Sequence, residues 1–383
     1  MKLLYFHSAR ITSQMANLNQ VVQMCNAFAA NGAEVHLSLS GNNLPSEMVE
    51  QKLEEVYGDI SFRISVRKMI ISQMADNYLF PGSIRRAIKQ IKPDLIFCRN
   101  HLYLKPCIKS GIPTIFESHD ANLHLRLKWL DKHHKSYIQK TARSYNRFLM
   151  ITISEALKHF WMDVGVPQEK IIALHDGFDT AMFDKKMAKE EARAILKLSA
   201  EKTIATYTGS LYPNREIDNI LSLAQHFPQI LFMVVGGPDQ QKTHYEKLAA
   251  SRGLSNVLFT GRVAHKKIPL YLFASDVLLA LWSSKVRTIN YCSPLKVFEY
   301  MASGQPIIAQ GFPTIKEVLE NQVNAIIAEP DSFEDLKKSM QAFMQIRHNN
   351  SLGKKAREEA FQKYSWENRA RVILSHAQKE FNI

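Results

Sequence analysis

Hydrophobic positions along the chain switch between two patterns. Short solid apolar runs alternate with longer stretches that carry an apolar stripe at helical spacing. Lys2–Phe6 is a solid run. Leu18, Val21, Val22, Cys25, Phe28 and Ala29 then recur at helical spacing up to Asn31-Gly32, and Val35–Leu39 is solid again. Strand, helix and strand in that order predict a parallel pair joined by a helical crossover. Further strands are predicted at Ile60–Val66, Asp94–Cys98, Pro113–Glu117, Arg147–Ile153 and Lys170–Leu174. Ala121–Phe160 reads as a long basic helix, a strand and another helix. A charged helix, Lys185–Lys197, opens a second series with strands at Thr203–Tyr207, Ile230–Val235, Val257–Thr260, Ser275–Leu281 and Pro306–Ala309. Helices at Ser332–Met344, Leu352–Lys363 and Trp366–Phe381 close the chain. The prediction is an α/β protein with two halves of similar architecture, without long linkers, low-complexity segments or short repeats.

A length of 383 residues suits two domains of ordinary size. Hydrophobic residues at 46% and charged residues at 22% describe a globular chain and not a disordered one. No apolar run approaches the roughly 20 residues of a membrane-spanning helix, and MKLLYF followed by HSAR is too short for a secretory signal. Cys25, Cys98, Cys107 and Cys292 show neither C-x-x-C pairing nor metal spacing, which fits reduced thiols in a cytoplasmic enzyme.

Charge changes the picture. A formal net charge of +13 suits a polyanionic partner: phospholipid headgroups, a lipid-linked phosphate, an acidic glycan or nucleic acid. Within Ala121–Phe160, Arg126, Lys128, Lys132, Lys135, Lys140, Arg143, Arg147 and Lys158 face only Asp131 and Glu155, with Trp129, Tyr137, Tyr145 and Trp161 interleaved. This stretch reads either as a solvated helix face or as a surface for an anionic membrane or an anionic acceptor. Arg63, Arg67 and Lys68 add to the same surface.

The candidate chemistry centres on Asn290–Gln310, NYCSPLKVFEYMASGQPIIAQ. Ser293 is the expected N-cap and Pro294 the first helical residue. Leu295, Phe298 and Ala302 recur at helical spacing, and Gly304 sits where a helix ends. A helix N-terminus with unpaired amides, Lys296 on its first turn and Glu299 on the next suits a nucleoside diphosphate. The amides and the lysine would face phosphate, and the glutamate would accept from ribose hydroxyls. An ordinary surface helix is the alternative.

Ser293–Ala309 resembles, nearly residue for residue, the signature of the retaining nucleotide-sugar glycosyltransferases of family 4, which have the GT-B fold. The resemblance implies two Rossmann-like domains facing across a cleft, with the C-terminal helix crossing back to the first. The expected division is an acceptor-binding domain, 1–178, with part of 366–383 packed on it, and a donor-binding domain, 179–365. His175–Phe183, HDGFDTAMF, resembles the family's linking segment.

By the same resemblance His119, at a strand end in FESHD, faces the donor sugar. Arg215, Lys296 and Glu299 complete the catalytic set. Arg215 and Lys296 serve the diphosphate and Glu299 the ribose. The donor-binding set is Gly209, Ser210, Gly236, Arg262, Val263, Tyr291, Ser293, Pro294, Leu295 and Val297. Acceptor contacts are expected from Arg10, Arg126 and Lys128.

Several positions depart from the family's pattern. The family's first signature glutamate is Tyr291 here. The arginine of G-R-L is Ser210, the lysine five residues on is Arg215, and the loop Ser8–Asn17 has no glycine pair. No D-x-D occurs, so no carboxylate clamp for a metal–diphosphate donor is expected. The implied reaction needs no cofactor and no metal. A UDP- or GDP-sugar is the co-substrate, and an acceptor hydroxyl attacks on the face the diphosphate leaves. Domain closure would bring donor and acceptor together and exclude water. The acceptor is a glycan or lipid-linked molecule of surface-polysaccharide or glycolipid assembly, handled in the cytoplasm or at the inner face of the membrane. Three other readings stay open: a GT-B epimerase, an inactive partner subunit, indicated by Tyr291 and Ser210, and a nucleic-acid binder, indicated only by charge and without any recognition motif.

Overall fold

The computed structural model describes residues 1–8, 16–42, 44–68, 81–123 and 127–383. The chain forms two compact units, Met1–Asp176 with Trp366–Ile383, and Gly177–Ser365. Arg10, Arg126 and most of the Ser8–Asn17 loop lie outside the described residues.

The first unit is built on β1 (Lys2–Ser8), β2 (Glu34–Asn42), β3 (Arg63–Lys68), β4 (Leu95–Cys98), β5 (Thr114–Ser118), β6 (Phe148–Thr152) and β7 (Ile171–Ala173). These make one seven-stranded sheet in the order β3-β2-β1-β4-β5-β6-β7. Every pairing is parallel; Leu4 of β1 is opposite His36 of β2 and Ile96 of β4. Strands such as LIFC and FLMIT are buried at every position, the composition a parallel sheet needs when helices cover both faces. The order reverses direction between β1 and β4, the switch point at whose carboxyl edge open α/β sheets hold ligands.

Helix Ala16–Ala30 follows the predicted stripe, and Gly32, at φ 84°, donates to Ala29 O and turns the chain into β2. The chain returns to this unit through helix Trp366–Phe381. That helix buries Trp366, Arg369, Ala370, Ile373, Leu374, Ala377 and Phe381 as one stripe and packs against Ala16–Ala30.

The second unit holds β8 (Thr203–Thr208), β9 (Ile230–Val235), β10 (Val257–Gly261), β11 (Val277–Ala280), β12 (Ile307–Gln310) and β13 (Ile326–Ala328). The sheet order is β10-β9-β8-β11-β12-β13, again all parallel, with its switch point between β8 and β11. The charged helix is shorter than expected, Lys189–Leu196, because Ala188 is extended at ψ 141°. Its Arg193 donates to Asp276 at 2.5 Å, and the same Asp276 oxygen accepts from Ile204 N at 2.8 Å, pinning helix to sheet.

Two surface expectations change. Trp161 is fully buried, donating from Nε1 to Ser118 Oγ at 2.8 Å, so it is core and not part of a basic surface. Arg67 also turns inward, its guanidinium 4.9 Å from the Tyr103 ring. Trp129, at 70% exposure, does stand in solvent, beside Lys128 and Lys132. Among the described residues no helix is long and apolar enough to cross a membrane.

Candidate functional site

In the second unit the carboxyl ends of β8, β9 and β10 are tied by backbone bonds. Gly209 N donates to Val235 O and Gly236 N donates to Gly261 O, both at 2.9 Å. The amides of Gly209 and Gly236 are therefore committed to protein, and what these glycines contribute is clearance. Gly236 has φ 122°, and a Cβ there would collide with Gly209 O. After Gly209 the chain runs outward through Ser210, whose carbonyl accepts from Tyr207 Oη at 2.9 Å, to Arg215.

Helix Leu295–Ser303 is the second wall. It starts one residue later than predicted. Pro294, extended at ψ 111°, is the flanking residue, and buried Ser293 precedes it. Val297 N donates to Pro294 O at 3.0 Å and its side chain is 1% exposed, so Val297 belongs to the core and not to a ligand surface. Gly304, at φ 72°, ends the helix as expected. Tyr300 holds this helix to β8: its hydroxyl accepts from Thr208 N at 2.7 Å.

Lys296 Nζ lies 3.9 Å from the Tyr207 ring centroid and 4.3 Å from that of Trp282. Cation–π contacts of this kind contribute about 2 kcal/mol when desolvated. Burial, and then the charge of Arg215, hold its pKa well below the usual lysine range. Arg215 is half-buried. The two basic groups are neighbours at this edge, and among the described residues no carboxylate is paired with either.

Glu299 is not free. Its Oε1 is 2.6 Å from His265 Nε2, and its side chain is only 12% exposed. Burial would lower the His265 pKa, but Glu299 and then Asp179 outweigh it and raise the pKa above the usual histidine value. Burial raises the pKa of Asp179. Asp179, His265 and Glu299 thus form one cluster, of which His265 had no signal in the sequence. Arg262 is exposed, Val263 packs on Ile204, Met233 and Val235, and Tyr291 lies in the turn before the helix, its N donating to Thr288 O at 2.9 Å.

In the first unit His119, a quarter exposed, stands just past β5 beside fully buried Glu117. Its pKa is held at about 4, by burial first and then by Arg99, so it is neutral at pH 7. Its Nε2 lies 2.9 Å from Glu117 Oε2 and 3.0 Å from Arg99 Nε, and its Nδ1 lies 3.3 Å from Arg99 Nη2. Arg369 donates to the other Glu117 oxygen at 2.6 Å and to His175 O at 2.9 Å. Asp176 accepts from Gln20, and burial pushes its pKa up to about 7. Arg99 and Arg369 had no local sequence signal, whereas Asp176 lies in the segment His175–Phe183 that the sequence singled out. Lys128 opens helix Lys128–Ser144 and is exposed.

Two doubly wound parallel sheets, each with polar groups gathered at its carboxyl edge and the last helix returned to the first unit, are the GT-B architecture. Residues 188–359 match the family model of glycosyl transferases group 1, and residues 19–182 match that of glycosyltransferase family 4. The two matches divide the chain between them and support a group 1 glycosyltransferase.

The chain is 23% identical over 363 residues to an uncharacterized glycosyltransferase of Haemophilus influenzae, covering 89% of this chain and 90% of that one. It is 26% identical over 235 residues to a lipopolysaccharide 1,2-N-acetylglucosaminetransferase of Salmonella typhimurium, covering 57% and 59%. Anabaena Alr3699/HepE, solved in complex with UDP-glucose, superposes with a TM-score of 0.73 at 18% identity, over 98% of this chain and 99% of that one.

Proposed function

We propose that the chain is a retaining glycosyltransferase that moves a hexose-type sugar from a nucleoside-diphosphate sugar to an acceptor hydroxyl, in surface-polysaccharide or glycolipid assembly. The observation that carries this is the Lys296–Arg215 cation pair at the second sheet's switch point, one helical turn from Glu299. A relative named as a lipopolysaccharide 1,2-N-acetylglucosaminetransferase and a neighbour solved with UDP-glucose support the same reading.

In this reading the second unit binds the donor. Lys296 and Arg215 meet the diphosphate, where negative charge grows as the glycosidic bond breaks, and the first-turn amides of Leu295–Ser303 add to that field. Glu299 accepts from ribose hydroxyls through the oxygen that His265 leaves open, and His265 fixes the carboxylate's orientation. The first unit binds the acceptor, and neutral His119 hydrogen-bonds the transferred sugar. The acceptor oxygen bonds to the anomeric carbon on the face the diphosphate leaves, and its proton passes to a donor phosphate oxygen. No protein nucleophile takes part.

Thermal shift with UDP, GDP, ADP and their hexose derivatives tests the donor site, because a ligand of the folded state raises Tm by mass action. One nucleotide family should stabilise the protein, Glu299→Ala should abolish the effect, and His265→Gln should weaken it several-fold, the loss of about 1 kcal/mol for one hydrogen bond. Stabilisation by none of them refutes the donor site and returns the chain to the inactive-partner reading. Release of free sugar or an epimerised donor without acceptor would refute transfer.

A further inference from the structure

The switch point of the first sheet carries more positive charge than its carboxylates neutralise. Arg67, on β3, donates from Nε to Ser38 Oγ at 3.0 Å and from Nη2 to His7 O at 3.4 Å. Its guanidinium also lies 5.4 Å from the Phe6 ring centroid and 4.9 Å from that of Tyr103. Its recorded partners are hydroxyl, carbonyl and ring groups, with no carboxylate among the described residues, and Nη1 has no recorded acceptor.

His7, at the end of β1, is 7% exposed, and its Nε2 is buried with no hydrogen-bond partner among the described residues. Arg99 follows β4, the strand on the other side of the switch point, with its side chain 7% exposed. Glu117, the fully buried carboxylate beside Arg99, is already shared by Arg369 and His119. Burial first, and then the nearby charges of Arg99 and Arg67, hold His7 well below the usual histidine pKa, so it adds a neutral N–H and not a charge.

A half-buried guanidinium without a counter-ion is costly, and a buried ring nitrogen without a partner costs about 1–3 kcal/mol. Both costs are removed by one ligand: a tetrahedral oxyanion accepting from Arg67 and from His7 Nε2–H, in the field of Arg99.

We propose that Arg67 and His7, with Arg99 behind them, form a phosphate-binding site at the β1/β4 switch point, for a phosphate group carried by the acceptor. The inference rests on the reading of the first unit as the acceptor side. It places the acceptor's anionic group on residues inside the sheet edge and not on the exposed basic helix.

The test titrates the full chain with inorganic phosphate, following Tm, with saturating UDP present to fill the diphosphate site of the second unit. The wild-type protein should show saturable stabilisation. Arg67→Gln should weaken it about tenfold or more, the loss expected for a charge-assisted donor, and Arg63→Gln, 75% exposed on the same strand, should leave it unchanged. Equal phosphate affinity in wild type and Arg67→Gln, or equal losses in both variants, overturns the site.

If Arg67→Gln is poorly folded without ligand, the His7 ring signals in the wild-type NMR spectrum take its place. They must shift on phosphate addition, and a fixed His7 resonance overturns the site. Phosphatidylglycerol vesicles, against phosphatidylcholine controls, identify the source. Arg67-dependent vesicle binding assigns the phosphate to a lipid, whereas Arg67-dependent binding of free phosphate alone assigns it to a soluble phosphorylated acceptor. Absence of any UDP effect, with Arg67-dependent phosphate binding retained, removes the donor reading and leaves this site standing.

Discussion

Replacing Arg369 by Met should unfasten the last helix from the first unit. The guanidinium is 3% exposed and donates to Glu117 at 2.6 Å, to His175 O at 2.9 Å and to Leu174 O at 3.2 Å. Methionine fills similar volume but strands a buried carboxylate and two carbonyls. Breaking a buried pair by removing one partner costs about 3–5 kcal/mol. Arg99 and His119 remain on the other Glu117 oxygen, at 3.5 and 2.9 Å, and keep the loss from rising above that range. For a unit of about 200 residues each kcal/mol moves Tm by roughly 2–4 °C, so a drop of about 6–20 °C is expected by circular dichroism or calorimetry.

Adding Glu117→Gln should return a large part of the loss, because the stranded charge is gone. Burial alone would raise the Glu117 pKa, yet Arg369, His119 and Arg99 hold it far below the usual carboxylate range. A depressed folded-state pKa gives stability that is present above the unfolded value of 4.5 and lost as pH falls below it. The gap between wild type and Arg369→Met should accordingly shrink below about pH 4.5. A loss under about 1 kcal/mol, or one that neither the second substitution nor acid reduces, refutes the pairing argument.

Two further outcomes follow from the same structure. Asp176 has its folded-state pKa raised from 3.8 to about 7, so the fold prefers the protonated form; the penalty is absent below pH 3.8, grows through the interval and is complete above pH 7. Asp176→Asn should therefore match wild type at low pH and exceed its stability at pH 8, by at most about 4 kcal/mol for a three-unit shift; equal denaturation midpoints at pH 8 would refute it. Gly236→Ala forces a side chain against Gly209 O at φ 122° and should cost at least about 2 kcal/mol and disrupt nucleotide binding. Gly82→Ala, a helical position with nothing within 4 Å of the added methyl, should stabilise by about 0.5–1 kcal/mol; similar effects of the two substitutions would sink the clearance argument.

Most of the architecture was legible because a doubly wound sheet writes itself locally. Strands buried on both faces become solid apolar runs, such as Ile230–Val235, and their crossover helices carry stripes, such as Leu18 to Ala29. The helix Leu295–Ser303 and its Gly304 stop were likewise written in adjacent residues. The three-residue strand β13 was not, since Ile326–Ala328 is too short to show a period. Nor could the sequence tell that Trp161, in a stretch rich in lysine and arginine, points into the core, because burial is set by what packs on a helix and not by its neighbours in sequence.

The polar clusters lay furthest from view. Glu117 meets Arg369 across 252 positions, Glu299 meets His265 across 34, and Arg67 meets His7 across 60. No local pattern records such pairs. Each residue type is common, its spacing carries no period, and only the parallel sheet, by bringing its carboxyl ends to one edge, makes them neighbours. Composition and periodicity thus determined the elements, the helix Leu295–Ser303 among them. Tertiary structure decided which charges are neutralised, which histidine meets Glu299, and which arginine is turned against His7.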